Sequence, residues 1–262
     1  MPLDLATCLR PDWAAPRVQG LMTTRLGGQS QGGYAAFNLG DAVGDDPAMV
    51  ASHRAALAEA CGAQPVFLRQ VHGVEVLRLT ALDAAGAAAG GEPPVADATF
   101  TTEPGVVCTV MVADCLPVLM AAPDGRGVAA AHAGWRGLAG GILPRTLLAL
   151  CEAAACEPQE VQVWLGACIG AQAFEVGPDV RAAFAQGPHD LAQRFVSKNS
   201  GTEPGPKWWA DLCGLARDQL RHAGATEVQG GAWCTVSDPV RFFSFRRDRI
   251  TGRMAACVWI ER

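Results

Sequence analysis

Along this chain, unbroken apolar runs alternate with segments of helical periodicity, the pattern of a mixed α/β protein. Val18 to Thr24 reads as an early strand, and Val66 to Gln70 and Val74 to Leu79 as two more, separated by His72-Gly73. Asp97 to Thr102 and Val106 to Met111 are β-like, and the run Val106–Val112 predicts a strand covered on both faces. Leu116 to Ala121 and Val128 to Ala131 predict a hairpin around Pro123-Asp124-Gly125-Arg126-Gly127. Val161 to Leu165, Val228 to Cys234 and Ala255 to Ile260 complete the strands.

Helices are signalled by their ends. Asp46 is placed to cap a helix with Pro47 at its first position and Gly62 as its stop, presenting Val50, Ala51, Arg54, Leu57 and Ala58. Ile142 to Cys156, with Pro144 in the first turn, predicts a second helix, and Pro178 opens a short one to Gln186. Trp208 to Ala223 reads as helical up to Gly224, with Trp208 and Trp209 as core residues opening it. Gly27 to Gly44 is a glycine-rich loop carrying Ser30, Tyr34 and Asn38. Asp83 to Pro94 reads as a surface loop, and Ser197 to Pro206 as a polar, mobile one. Phe242 to Asp248 reads as an amphipathic edge strand with solvated charges. No internal repeat is visible.

Half of the 262 residues are hydrophobic, enough for one large domain or two. The net charge is −5 and no basic run occurs, which argues against a general nucleic-acid binder. The most apolar stretch, Val106 to Ala122, is interrupted by Asp114 and Pro117 and is too short for a bilayer, so no membrane partner is expected. Ten scattered cysteines without a C-x-x-C do not make a disulfide framework. Met1 to Pro16 has no apolar segment of a secretory signal, so a reduced, cytoplasmic protein is the expectation. No sequence feature assigns an oligomeric state.

Three metal-capable side chains sit at the edges of apolar segments: His72, Cys115 in Ala113-Asp114-Cys115-Leu116-Pro117, and His132 before Ala133-Gly134-Trp135-Arg136-Gly137. Two imidazoles and a thiolate suit a transition metal such as zinc, and three protein ligands leave a fourth position for a reactant. The pair Asp114-Cys115 breaks two apolar strands, and strand ends are where α/β active sites gather. The same atoms admit a metal-free reading, with Cys115 as nucleophile and His132 as its base. The third donor, His72, favours the metal. The glycine turn after His132 leads into a helix, an arrangement suited to an anion, and Arg136 is placed to add bidentate hydrogen bonds. His53, His189 and His222 read as structural or exposed.

These residues together resemble the YfiH family, also called the laccase-domain, polyphenol oxidase or purine nucleoside phosphorylase group. The segments that carry the resemblance include Thr24 to Ser30, Asn38-Leu39-Gly40, Val43 to Asp46, Gln70 to Gly73, Ala113 to Pro117 and His132 to Leu138. Later ones are Gly166 to Gly170, Phe174-Glu175-Val176, Asp211-Leu212 and Ser244 to Asp248 through Gly252-Arg253. The resemblance implies one α/β domain over residues 1–262, with layered mixed sheets flanked by helices in an α-β-β-α sandwich. It also implies metal ligands at His72, Cys115 and His132, with Asn38, Arg54, Gln70 and Arg136 near the substrate. Departures from the family pattern are His53 where asparagine is common, Ala167 where proline is, and Phe243 and Phe245 where tyrosines are.

The activity implied is phosphorolysis of adenosine, inosine and methylthioadenosine, and deamination of adenosine, with a purine nucleoside and phosphate as partners. Zn²⁺ lowers the pKa of a bound water toward neutrality, which suits attack at purine C6; Asp114 is the acid/base candidate. Copper in the same site is the rival implied by the laccase label, yet five histidines are few for a multicopper oxidase. A cytoplasmic peptidoglycan-precursor amidase and a non-catalytic metal-binding module are the remaining alternatives. A closed structural zinc would require a fourth protein ligand.

Overall fold

Asp46 caps the first long helix as its sequence predicts: the carboxylate accepts the Ala48 N–H at 2.8 Å, Pro47 takes the first turn, and Gly62 stops the helix in the left-handed region (φ 64°). The computed structural model describes residues 2–185, 191–198 and 205–262. In chain order its first half runs β1 (Val18–Met22), α1 (Pro47–Cys61), β2 (Pro65–Val66), β3 (Val76–Arg78), α2 (Ala81–Ala88), β4 (Ala98–Thr101), β5 (Val107–Val112), β6 (Leu116–Ala121) and β7 (Val128–Ala133). Then follow α3 (Trp135–Ala139), α4 (Ile142–Ala154), β8 (Gln162–Leu165), β9 (Glu175–Val176), α5 (Pro178–Ala185), β10 (Phe195–Lys198), β11 (Lys207–Ala210), α6 (Leu212–His222), β12 (Glu227–Gly230), α7 (Phe245–Asp248) and β13 (Met254–Ile260).

Two large sheets stack. One has the order β1-β13-β5-β2 and the other β12-β8-β6-β7-β4-β3; a small sheet, β10-β11-β9, stands beside them. Three apolar layers hold the stack. Leu57 and Ala56 of α1 pack on Val107, Ala255 and Cys257 on the outer face of the four-stranded sheet. Val110, Val112, Met254 and Ala256 meet Leu119, Val128 and Ala130 between the sheets. Leu143 and Leu147 of α4 and Leu215 of α6 cover Val118, Met120 and Ala131 on the far side. Each such side chain, removed from water, stabilises the fold by roughly 1.5–3 kcal/mol. The result is the expected α-β-β-α sandwich.

β6 and β7 are buried along their whole length, which explains why their sequences are continuously apolar rather than alternating. Their antiparallel register pairs Pro117 with His132, so Cys115, two residues before Pro117, lies beside His132. β7 also pairs with β4 (Ala131 with Ala98), and β4 with β3 (Ala98 with Val76). Four strands thus deliver His72, Asp97, Cys115 and His132 to one end of the sheet.

Several segments differ from the sequence expectation. Asp83–Pro94 is not all loop: α2 occupies Ala81–Ala88, begun by Asp83, which accepts both the Thr80 N–H and the Thr80 hydroxyl at 2.7 Å. Trp208 and Trp209 do not open a helix but lie in β11, and Asp211 caps α6 by accepting the Gly214 N–H. Large aromatic side chains favour the pleated surface there over a first helical turn. The Val228–Cys234 strand stops at Gly230, because Gly230 and Gly231 turn into positive φ. Phe242–Asp248 is not an edge strand: Phe242 and Phe243 are fully buried, and Ser244 caps α7 through the Arg247 N–H. Gln186, His189 and the centre of the Ser197–Pro206 loop lie outside the described residues; Ser197 and Lys198 belong to β10. Among the described residues no helix is long and apolar enough to cross a membrane.

Candidate metal centre

The donor atoms of His72, Cys115 and His132 all lie within 4.8 Å of one another, and no other such group of His, Cys, Asp or Glu occurs among the described residues. The Cys115 sulfur is 3.8 Å from Nε2 of His72, and the two imidazoles meet edge to face with centroids 4.8 Å apart. Ligand atoms roughly 2.0–2.3 Å from one tetrahedral zinc stand about 3.3–3.8 Å from each other. The spacing is compatible with a single metal ion, and three protein donors leave one position for a reactant.

Asp97 organises this group. It is fully buried at the start of β4. Its carboxylate accepts the Nδ1–H of His132 at 2.8 Å and the backbone N–H groups of Val71, His72 and Gly73 at 3.1, 3.0 and 2.7 Å. The His132 bond keeps a proton on Nδ1 and turns Nε2 toward Cys115. The three backbone bonds hold His72 at φ 60°, a left-handed conformation costing about 1–3 kcal/mol for a residue with a side chain. Burial pushes the Asp97 carboxyl up, but the donated hydrogen bonds and the His132 charge win, and its pKa lies below the ordinary carboxylate range.

Cys115 is held from the other side. Asp114 precedes it at φ 96°. Its oxygens accept from the Thr235 hydroxyl (2.5 Å) and the Arg246 N–H (2.6 Å), while its carbonyl accepts the Ile169 N–H. Gly134 completes the cradle: a Cβ there would sit 2.9 Å from His72 Cδ2 and 3.1 Å from the Cys115 sulfur. Burial pushes the Cys115 thiol up, but the charges and hydrogen bonds of His132 and His72 outweigh it and bring its pKa down to about 6. Burial disfavours the His132 cation, but the thiolate and Asp97 raise its pKa to about 9. In the ion-free pair the sulfur favours its ligating thiolate form, and His132 gives up its Nε2 proton when a metal binds.

The group opens on a cavity of about 1090 Å³, ample for a nucleoside. Of the residues predicted from sequence, Arg54, Gln70, Asp114 and Arg136 line it, whereas Asn38 is buried and does not. Gln70 spends both amide atoms on the Met111 backbone, at 2.8 and 2.7 Å. Arg54 bonds the Leu39 carbonyl, pairs with Asp41 at 3.0 Å and stacks on Phe67. Arg136 is exposed and lies over the Trp135 ring, 4.3 Å from its centroid. The glycines of its turn serve close packing: a Cβ on Gly137 would meet the Gly73 carbonyl at 2.8 Å, and one on Gly140 would meet Val74 at 2.7 Å. His53, read as structural, accepts the Gln29 N–H at 3.0 Å and contacts the Asn38 carbonyl at 2.9 Å.

Sequence reasoning passed over Asp97 and gave no role to Arg246 or Arg253, both of which line the cavity. A lone carboxylate between Ala96 and Ala98, at the mouth of a buried strand, was the available signal for Asp97.

A model of the family described as multi-copper polyphenol oxidoreductase laccase matches residues 19–261. Purine nucleoside phosphorylase PA4543 of Pseudomonas aeruginosa is 45% identical over 255 residues, covering 97% of this chain and 98% of that protein. Purine nucleoside phosphorylase YfiH of Escherichia coli is 41% identical, covering 95% of this chain and 97% of its own. Among solved structures, Neisseria meningitidis protein NMB0706 aligns with a TM-score of 0.87 at 44% identity, over 98% of this chain and all of that one. Hypothetical protein YfiH of Bacillus licheniformis aligns at 0.89 with 27% identity, over 99% and 98% of the two chains.

Proposed function

We propose that this chain, which belongs to the YfiH family of laccase-domain proteins, is a metal-dependent purine nucleoside phosphorylase that works in the cavity beside His72, Cys115 and His132. The observation that carries the reading is a three-donor group with one open side, facing a cavity large enough for a nucleoside and an anion together. Zinc is the metal the donors suit, and when bound it supplies a Lewis acid to an oxygen in the cavity.

The chain's own residues supply the rest. Phe67, Trp135, Phe174 and Phe245, each under an arginine guanidinium, line the cavity and give it an apolar and cationic wall for a purine nucleoside and its phosphate. Gln70 and Arg54, both engaged by protein partners, shape its wall. In this reading Asp114, with both oxygens engaged, fixes the turn before Cys115 rather than moving a proton. In phosphorolysis a phosphate oxygen bonds to ribose C1′ as the C1′–N9 bond breaks. The base leaves with that electron pair, and the phosphate's remaining proton ends on the base nitrogen. Deamination of adenosine at C6 is a second activity of the same pocket, favoured by the open metal position. The multi-copper part of the family description has no counterpart among the described residues, which gather one donor group.

The test is incubation of metal-defined protein with adenosine and inosine, with and without phosphate. The reading expects free base and ribose 1-phosphate only when phosphate is present, and conversion of adenosine to inosine without it. Turnover that survives in Cys115→Ala, or base release independent of phosphate, contradicts it.

A further inference from the structure

The cavity collects positive charge in a protein that is negative overall. Arg54, Arg69, Arg136, Arg246 and Arg253 line it against Asp41, Glu92 and Asp114, whereas the whole chain carries −5. These arginines are not equivalent. Arg54 is neutralised by Asp41, and Arg136 is exposed on Trp135. Arg246 gives Nη1 to the Glu175 carbonyl and lies over Phe174. Arg253, like Arg246, is partly buried and has no carboxylate partner among the described residues; what sets it apart is the Asn38–Gly40 turn that holds its backbone.

Its guanidinium is anchored from one side only. Nη1 donates to the carbonyls of Thr251 and Gly252, each at 3.1 Å. Among the described residues Nε and Nη2 have no hydrogen-bond partner, and these two nitrogens form the edge that matches a carboxylate or phosphate bidentately. Partly burying a guanidinium with three of its five N–H donors unused is unfavourable unless water or a ligand takes them. Arg253 lines the same cavity as His72, Cys115 and His132.

The backbone around Arg253 is built to hold it there. Asn38 Oδ1 accepts the Arg253 N–H at 2.8 Å and the Gly40 N–H at 2.9 Å, and the Leu39 N–H donates to the Arg253 carbonyl. Asn38 Nδ2 is tied in turn to Asp45 and to the Gly40 carbonyl. Gly40 makes room for the side chain's stem: a Cβ there would lie 2.8 Å from Arg253 Cγ. Asn38, which the family resemblance sets near the substrate, therefore acts one step back.

We propose that Arg253 is the cation that holds the phosphate oxyanion in this cavity, beside the His72–Cys115–His132 group, and that the Asn38–Gly40 turn positions it. This deepens the phosphorylase reading and rests on it for the identity of the anion. The exposed Arg136, favoured by sequence alone, is not the principal anion site.

The test is calorimetric titration of the metal-loaded protein with inorganic phosphate, with metal content and thermal melting checked for each variant. Arg253→Met is expected to weaken phosphate binding by about tenfold or more, and Arg253→Lys, which keeps the charge and loses the fork, by less. Arg145→Met, a surface control on α4, is expected to match the parent. In phosphorolysis, Arg253→Met raises KM for phosphate about tenfold while KM for the nucleoside changes little. Wild-type affinity in Arg253→Met overturns the proposal, as does a larger loss in Arg136→Met or failure of the parent to bind phosphate. Adenosine monophosphate binding through Arg253 where free phosphate does not would also overturn it. If phosphate binding depends on Arg253 but no nucleoside is turned over, the phosphorylase reading fails and this assignment stands.

Discussion

Cys108 and Cys115 lie seven positions apart, one inside β5 and the other at the mouth of β6, and they are opposite kinds of sulfur. Burial pushes the Cys108 thiol up to about 12, whereas Cys115, under the same influence, comes down to about 6. The difference is made by two imidazoles, one of them aligned by a buried carboxylate. Cys168 and Cys213 show what a second thiol does instead: their sulfurs approach to 3.4 Å, and the hydrogen bond between them, with burial, drives Cys168 strongly upward while the same bond lowers Cys213. Cys115 is set apart by the two imidazoles that the surrounding strand ends bring to it.

The sharpest way to break that contrast is to delete each sulfur. Cys115→Ala is expected to abolish stoichiometric metal and to lower nucleoside turnover by on the order of 10³-fold. Cys108→Ala leaves metal and turnover intact and costs about 1 kcal/mol of stability in the core. Equal losses in both would erase the distinction; metal analysis and initial rates measure it.

Next comes the carboxylate behind the histidines. Asp97→Asn is expected to weaken metal affinity by about 10–100-fold, read by competition with a chelator. Asp97→Ala, which strands the donors of His132 and of Val71 to Gly73, costs about 3–5 kcal/mol in denaturant melts. The sign in pH follows from its lowered pKa. The contribution of Asp97 is complete above the unfolded carboxyl value of about 3.9 and disappears as pH falls through its folded value. The Asp97→Asn melt therefore loses less stability than the parent's on acidification through that window.

The two thiols also separate by titration. In metal-free protein, alkylation of Cys115 by iodoacetamide is expected to reach half its maximal rate near pH 6, set by its lowered pKa. An unperturbed cysteine does so near about 8.5. A Cys115 profile at the ordinary value removes the contrast. The smallest effect is expected at the cradle: Gly134→Ala forces His72 and the Cys115 sulfur to shift and costs about 1–3 kcal/mol with weaker metal binding.

Much of this was legible in the chain. The caps around α1 and the apolar hairpin β6–β7 follow from residue type and turn chemistry, and the three candidate ligands stand out as polar breaks at strand ends. Arg253 and Asp97 were less legible because their roles depend on partners 215 and 35 residues away, which no local pattern encodes. Phe242 and Phe243 misled because a mixture of aromatics and arginines looks the same on an exposed strand and on a buried segment leading into the Ser244 cap of α7. Arg136 misled for the converse reason: a glycine-rich turn before a helix resembles an anion cradle until packing against Gly73 and Val74 fills it.

The central claim is tested most directly by X-ray absorption at the zinc edge of reconstituted protein. The account predicts one ion per chain, with two nitrogen scatterers at about 2.0 Å, one sulfur at about 2.3 Å and one light atom from solvent or phosphate. It also predicts loss of the sulfur shell in Cys115→Ala. A shell without sulfur, or the same spectrum in that variant, would contradict it.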